Sequence, residues 1–120
     1  YTYPYFSGFK WEKGNGEGKG FNFNYPMPEN IDGARHREVL KEALKRIERF
    51  HPRFLVIPLG LDTAREDPTG SWTLEAADFE EMGRMTGALR LPTVIVQEGG
   101  YALEALSINV QRYFKGLLNG

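Results

Sequence analysis

Hydrophobic and polar positions along the chain follow periods that predict three helices and two buried strands. Apolar residues recur at helical spacing in three segments, each with a charged or polar opposite face. Between these segments lie two continuous apolar runs, which are typical of parallel strands covered on both faces. Short connections in the order helix, strand, helix, strand, helix predict one α/β unit over residues 1–120, with α/β/α layers around a parallel sheet. The expected helices cover about 32–50, 73–89 and 102–117, and the expected strands cover 54–57 and 92–97.

Several residues mark the expected ends of these elements. Asn30 and Asp32 are candidate N-caps for the first helix, and Thr73 is the candidate for the second. His51 precedes a proline at the end of the first helix and is expected to act as a capping group. His36 lies among charged residues within that helix and is expected at the surface.

The first 25 residues have a different character. Glycines at alternate positions from Gly14 to Gly20 suit neither helix nor strand. No strand precedes them and no Gly-Lys-Ser/Thr closes them, so an irregular surface loop is favoured over a phosphate loop. The segment from Phe21 to Tyr25 alternates apolar and polar residues and predicts a short strand that Pro26 ends.

Composition narrows the function classes. The chain is 41% hydrophobic and 26% charged, with a net charge of -1, which is typical of a soluble domain without a basic field for nucleic acid or anionic membranes. No apolar run reaches the roughly 20 residues that span a bilayer, so a cytoplasmic location is expected. The absence of cysteine excludes disulfides and thiolate sites. The aromatic opening at Tyr1, without a methionine, suggests a cleaved precursor or, preferably, a piece of a longer protein.

Candidate chemistry follows both predicted strands. Asp62 comes after the first strand, and Gly99, Gly100 and Tyr101 come after the second. Parallel strands place these ends on one edge of the sheet, where ligands bind in α/β folds. Asp62 can bind a metal, orient a histidine or act as a base, although it can also cap a turn or pair with Arg65.

Two other residues near this edge, Tyr101 and Asp67, can be interpreted as functional or as structural. The phenol of Tyr101 can donate a hydrogen bond to an oxyanion, although Tyr101 can also open a helix with its ring half-buried. Asp67, before Pro68, is interpreted as a turn former. On local pattern alone, the sequence therefore offers one carboxylate and one phenol, which is half of a site.

Two motifs at this spacing resemble a known family. Leu59-Gly60-Leu61-Asp62-Thr63 with Asp67-Pro68, followed by Leu91-Pro92-Thr93 and Glu98-Gly99-Gly100-Tyr101, resembles the carboxy-terminal half of the histone deacetylase superfamily. Acetylpolyamine amidohydrolases are the most similar branch. The resemblance covers nearly the whole chain, and it implies part of an arginase/deacetylase-like fold.

The resemblance also implies roles for individual residues. The family holds a zinc ion with two aspartates and one histidine, and Asp62 matches the second aspartate. Tyr101 matches the tyrosine that hydrogen-bonds the substrate carbonyl and the oxyanion. The residues implied to line the substrate tunnel are Phe6, with Tyr5 as the alternative, Gly99 and Gly100.

Departures from the family pattern limit what this chain is expected to do alone. The Asp-x-His zinc motif and the paired general-base histidines of the family are absent from the chain. We therefore expect part of a zinc-dependent amidohydrolase for acetylated polyamines or similar amines, with weak or no zinc binding and no activity in the isolated chain. The alternatives are a deacetylase acting on acetyl-lysine and a non-catalytic α/β interaction module that uses the charged helix from Arg35 to Arg49. Self-association that covers exposed apolar surface is also expected.

Overall fold

The structure, a computed structural model, describes residues 4–120. A short 3-10 turn at Gly16–Gly18 precedes the helices and strands of the domain. The elements are α1 Gly33–Phe50, β1 Leu55–Leu59, α2 Ala76–Gly87, β2 Thr93–Gln97 and α3 Leu103–Leu118. The predicted order of three helices and two strands is confirmed, as is the α/β class with a parallel sheet.

The two strands pair in parallel, with Leu55 opposite Thr93 and Leu59 opposite Gln97. One face of the sheet packs on the core, in which Phe79 of α2 and Tyr113 of α3 are almost completely buried. The other face is exposed, and it carries three valines. These are Val56, Val94 and Val96. Residues 4–120 therefore cover the strands on one face, and not on both as the sequence predicted, because the core residues of α2 and α3 lie on the opposite side.

Helices α2 and α3 approach each other along a line of glycines. A Cβ atom added to Gly116 would lie under 3.0 Å from the carbonyl oxygen of Glu80, and one added to Gly83 would lie equally close to the carbonyl oxygen of Tyr113. The two backbones are thus nearly in contact, and they form the supporting layer beneath the inner face of the sheet.

The ends of α1 agree with the sequence prediction. The Asp32 carboxylate accepts a hydrogen bond from the backbone N–H of Arg35 at 2.8 Å and forms the N-cap. His51 is the C-cap, in the left-handed conformation with φ of 51°. Both predictions rest on local signals, which explains why they could be made without knowledge of the tertiary contacts.

The predicted start of α2 is wrong. The helix begins at Ala76, with Glu75 as N-cap and its N–H donating to Oδ2 of Asp78 at 2.8 Å. The backbone N–H of Thr73 instead donates to the carbonyl oxygen of Ile31 at 2.9 Å. Thr73 therefore joins its loop to the segment before α1, a contact that local pattern does not reveal.

The predicted strand from Phe21 to Tyr25 is also wrong, since these residues form no sheet pairing. Side-chain amides hold the segment instead. The amide of Asn22 donates to the carbonyl oxygen of Glu12 at 2.8 Å, and the amide of Asn24 donates to that of Phe9 at 3.0 Å. The alternation of apolar and polar residues predicted a strand, but within residues 4–120 no neighbouring strand lies beside this segment to pair with it.

His36 is half-buried, and not exposed at the surface as predicted. Its ring lies 5.8 Å from the ring of Trp72, and its Nδ1 is buried with no hydrogen-bond partner among residues 4–120. Burial lowers the pKa of His36, Arg37 lowers it further, and Asp78 opposes the change. The charged neighbours in the sequence suggested exposure, whereas a loop 36 residues away covers the ring.

Helices within residues 4–120 are too short or too polar to cross a membrane.

Candidate functional site

The loops after β1 and β2 are joined by backbone hydrogen bonds that continue the sheet. The N–H of Glu98 donates to the carbonyl oxygen of Leu59 at 2.9 Å, and the N–H of Leu61 donates to that of Gly99 at 2.7 Å. The prediction that both strand ends lie on one edge is confirmed, and the residues next to these bonds are those singled out in the sequence.

The Asp62 carboxylate lies between two glycines. A Cβ atom on Gly99 would lie under 3.0 Å from Oδ2 of Asp62, and one on Gly60 would lie 2.8 Å from Oδ1. No hydrogen bond among residues 4–120 reaches this carboxylate. Arg65 pairs with Glu75, so the alternative of an Asp62–Arg65 ion pair is wrong. Asp62 is therefore a half-buried carboxylate whose lone pairs remain open to a ligand.

An open cleft borders Asp62. Its walls include Tyr5, Thr63 and Trp72. Phe6, the first choice for the substrate tunnel, is 91% exposed and does not line this cleft, whereas its alternative Tyr5 does. The structure thus brings Tyr5 to the cleft, and the assignment of either residue to a tunnel stays a prediction.

The Tyr101 side chain is 53% exposed and lies in an adjoining cleft. Glu66 and Leu103 line that second cleft, and Pro68 borders both clefts. Asp62 and Tyr101 are therefore close along the sheet edge, but their side chains face neighbouring hollows rather than one shared crevice.

The turn between Gly99 and Tyr101 depends on glycine. Gly100 has a φ of 151°, and a Cβ atom there would lie 2.9 Å from Cδ1 of Leu106 and 3.1 Å from Cβ of Leu61. Only a residue without a side chain fits both the conformation and the space. The glycine pair thus lets the β2–α3 loop lie directly on the loop that carries Asp62.

Asp67 makes more contacts than a turn former requires. Its Oδ1 accepts from the backbone N–H of Thr69 at 2.8 Å and from the Thr69 hydroxyl at 2.6 Å, which is the predicted turn role. Its Oδ2 accepts from the backbone N–H of Tyr101 at 2.7 Å, a contact that the sequence analysis missed. The two residues are separated by 34 positions, so no local signal could have revealed it.

The environment of Asp67 stabilises its charged form. The carboxyl group is buried, which opposes ionisation, but hydrogen bonds from the Thr69 side chain and backbone, and from the backbone of Tyr101 and Ala102, outweigh burial and lower its pKa. Asp67 is thus a buried carboxylate stabilised by dipolar donors, without an ion pair to any residue among 4–120.

The residues present fit part of a metal site. Asp62 offers a carboxylate, held between glycines, with no competing donor in the described part of the chain, and oxygen ligands of this kind suit zinc. Within residues 4–120, no three histidine, aspartate or glutamate side chains are grouped closely enough to hold a metal. Both histidines lie elsewhere, His36 against Trp72 and His51 at the end of α1.

Sequence comparison identifies relatives along nearly the whole chain. Residues 1–117 match the histone deacetylase domain. The chain is 46% identical over 114 residues to the acetylpolyamine amidohydrolase of Burkholderia pseudomallei, covering 95% of this chain and 33% of that protein. It is 41% identical to acetylpolyamine amidohydrolase 2 of Pseudomonas aeruginosa, covering 97% of this chain and 34% of the relative. The chain therefore spans about a third of the length of these relatives.

Solved structures give the same result. The acetylpolyamine aminohydrolase from Burkholderia pseudomallei superposes with a TM-score of 0.93 at 45% identity, covering 96% of this chain and 34% of that one. The HD domain of HDA15 superposes with a TM-score of 0.86 at 28% identity, covering 95% and 34%. The predicted deacetylase-like α/β fold is confirmed by these matches, and this chain belongs to the histone deacetylase domain family.

Proposed function

We propose that this chain forms part of the active site of a zinc-dependent amidohydrolase, which removes acetyl groups from acetylated polyamines or similar acetylated amines. The observation that carries the proposal is the pairing of Asp62, whose carboxylate receives no hydrogen bond from residues 4–120, with the Gly99–Tyr101 turn at adjoining strand ends. The similarity to acetylpolyamine amidohydrolases supports the choice of substrate class.

Each residue has a distinct part in this proposal. Asp62 is a metal ligand, held in place by the glycines on either side. Zinc, when bound, polarises the amide carbonyl and lowers the pKa of its bound water toward ~7. Tyr101 donates its phenol hydrogen bond to the carbonyl oxygen as negative charge develops there. Gly99 and Gly100 form part of the tunnel wall.

Two substitutions in the protein expressed from its complete reading frame test these roles. Asp62→Ala should lose bound zinc and activity together. Tyr101→Phe should keep its zinc and lose roughly 10²–10³-fold in kcat, because one oxyanion donor is removed. The measurements are zinc content by atomic absorption and acetate release from a monoacetylated diamine.

Tyr25→Phe is the matched control for Tyr101→Phe. The Tyr25 hydroxyl accepts from Nε of Arg46 at 3.1 Å on the outer side of α1, so its removal should leave turnover unchanged. Normal activity in both Asp62→Ala and Tyr101→Phe would refute the proposed site.

Acetyl-lysine is the second candidate substrate, and the match to the histone deacetylase domain favours it. A comparison of kcat/KM for a monoacetylated diamine and an acetyl-lysine peptide separates the two.

An interaction module on the charged face of α1 is less well supported. Its charges pair within the helix, Arg35 with Glu38 at 2.7 Å and Lys45 with Glu42 at 3.0 Å, so a solvated face is the simpler interpretation.

We further propose that residues 1–120 are a single α/β unit, corresponding to the carboxy-terminal portion of a deacetylase-like domain, and that they are inactive in isolation. Asp62 is one ligand of the three that the family uses. Zinc-dependent turnover of an acetylated diamine by the isolated 120-residue chain would contradict this.

The exposed valine face of the sheet supports self-association of the isolated chain. A monomer in sedimentation velocity would count against that expectation. A cytoplasmic location stays a prediction, which fractionation of the source cells checks.

A further inference from the structure

Asp67 is a buried charge that connects the two loops of the candidate site. Its side chain belongs to the β1–α2 loop and is 5% exposed. One carboxylate oxygen is held by Thr69 of its own loop, and the other accepts from the backbone N–H of Tyr101 in the β2–α3 loop at 2.7 Å. A carboxylate buried in this way is costly unless its hydrogen bonds are satisfied, so the contacts fix both loops relative to each other.

The Tyr101 backbone needs an anchor at this point. Gly100, directly before it, has a φ of 151° and restricts the chain little. Ala102, directly after it, is the N-cap of α3 and has no side chain that caps the helix. The Asp67 carboxylate accepts instead from the backbone N–H of Tyr101, directly before this N-cap, and its negative charge is favourable beside the start of the helix.

We propose that Asp67 is a positioning residue for Tyr101, fixing the backbone from which the phenol projects toward the reacting carbonyl. The inference rests on the proposed function, because it assumes that Tyr101 assists the reaction. Asp67 itself touches no reacting atom in this assignment. Its effect on turnover passes through the position of the phenol, where an error of about 1 Å can cost as much as 10²-fold in rate.

The test uses the protein expressed from its complete reading frame, with a monoacetylated diamine as substrate. Asp67→Asn should lower kcat about 10- to 100-fold, leave KM within about twofold and retain full zinc content. In the Tyr101→Phe background the same substitution should change kcat by less than about twofold, because the phenol is already absent. Amide exchange at Tyr101, followed by mass spectrometry of residues 98–102, should become faster in Asp67→Asn.

Two further variants keep the test decisive. Asp32→Ala removes a capping carboxylate at the start of α1, away from both clefts, and should lower thermal stability without lowering kcat. Thr69→Ala removes one of the two donors to Oδ1 of Asp67 and should lower kcat severalfold. This variant tests the same contact if Asp67→Asn fails to fold.

The failures of the two proposals are distinguishable. If Tyr101→Phe retains normal kcat, the role of Tyr101 and this inference both fail. If Tyr101→Phe is slow while Asp67→Asn and Thr69→Ala turn over normally, only the inference fails. An equal loss from Asp67→Asn in both backgrounds, or loss of zinc, would also overturn it, since Asp67 would then act on the fold or on the metal.

Discussion

Gly116→Ala should destabilise the fold, because the added methyl group has no room between α2 and α3. The new Cβ would lie under 3.0 Å from the carbonyl oxygen of Glu80 and 2.8 Å from the backbone nitrogen of Arg84. Both are backbone atoms of α2, so relief requires the helices to separate. Overpacking of this kind costs about 3 kcal/mol at the upper end of the usual range, while alanine restores about 1 kcal/mol of helix propensity. The net loss is about 2 kcal/mol, which lowers the melting temperature by roughly 5 °C.

Urea unfolding of the protein expressed from its complete reading frame, followed by circular dichroism, measures this loss. Gly18→Ala is the control, because a Cβ atom there meets nothing within 4 Å, and its stability should match the parent. Gly83→Ala should destabilise similarly, and the double variant should lose less than the sum, since one separation of the helices relieves both clashes. A Gly116→Ala variant as stable as the parent would refute the close approach of α2 and α3.

Two further predictions concern the metal site and the response to pH. Gly99→Ala should weaken zinc binding about 10- to 100-fold by displacing the Asp62 carboxylate, and a zinc titration with unchanged affinity would contradict the contact. Burial lowers the pKa of His36, while Asp78 opposes this change and Arg37 adds to it. Protonation of His36 therefore favours the unfolded chain. The stability from neutral His36 should be complete above about pH 7 and decrease as the pH falls through about 6.5. In urea unfolding at several pH values, His36→Gln should show a shallower decrease, and an unchanged slope would exclude this role.

Local signals in the sequence were sufficient for some elements and misleading for others. The Asp32 cap of α1 was predicted because a capping side chain acts within three residues of its own position. The prediction of a strand from Phe21 to Tyr25 is wrong, because alternation indicates which residues could pair but not whether a partner strand lies beside them. His36 appeared exposed because its neighbours in the chain are charged, although Trp72, far along the chain, covers it.

By itself, the sequence determined the order of helices and strands and the presence of Asp62 and Tyr101 at parallel strand ends. These follow from periodicity and from the rule that parallel strands end at one edge. Only the tertiary structure decided that glycines enclose the Asp62 carboxylate, that Tyr101 faces an adjoining cleft, and that Asp67 holds the Tyr101 backbone. Apart from the contact of Asp62 with its neighbour Gly60, these features depend on loops that are more than 30 residues apart, and the periodicity of a sequence carries no information about such contacts.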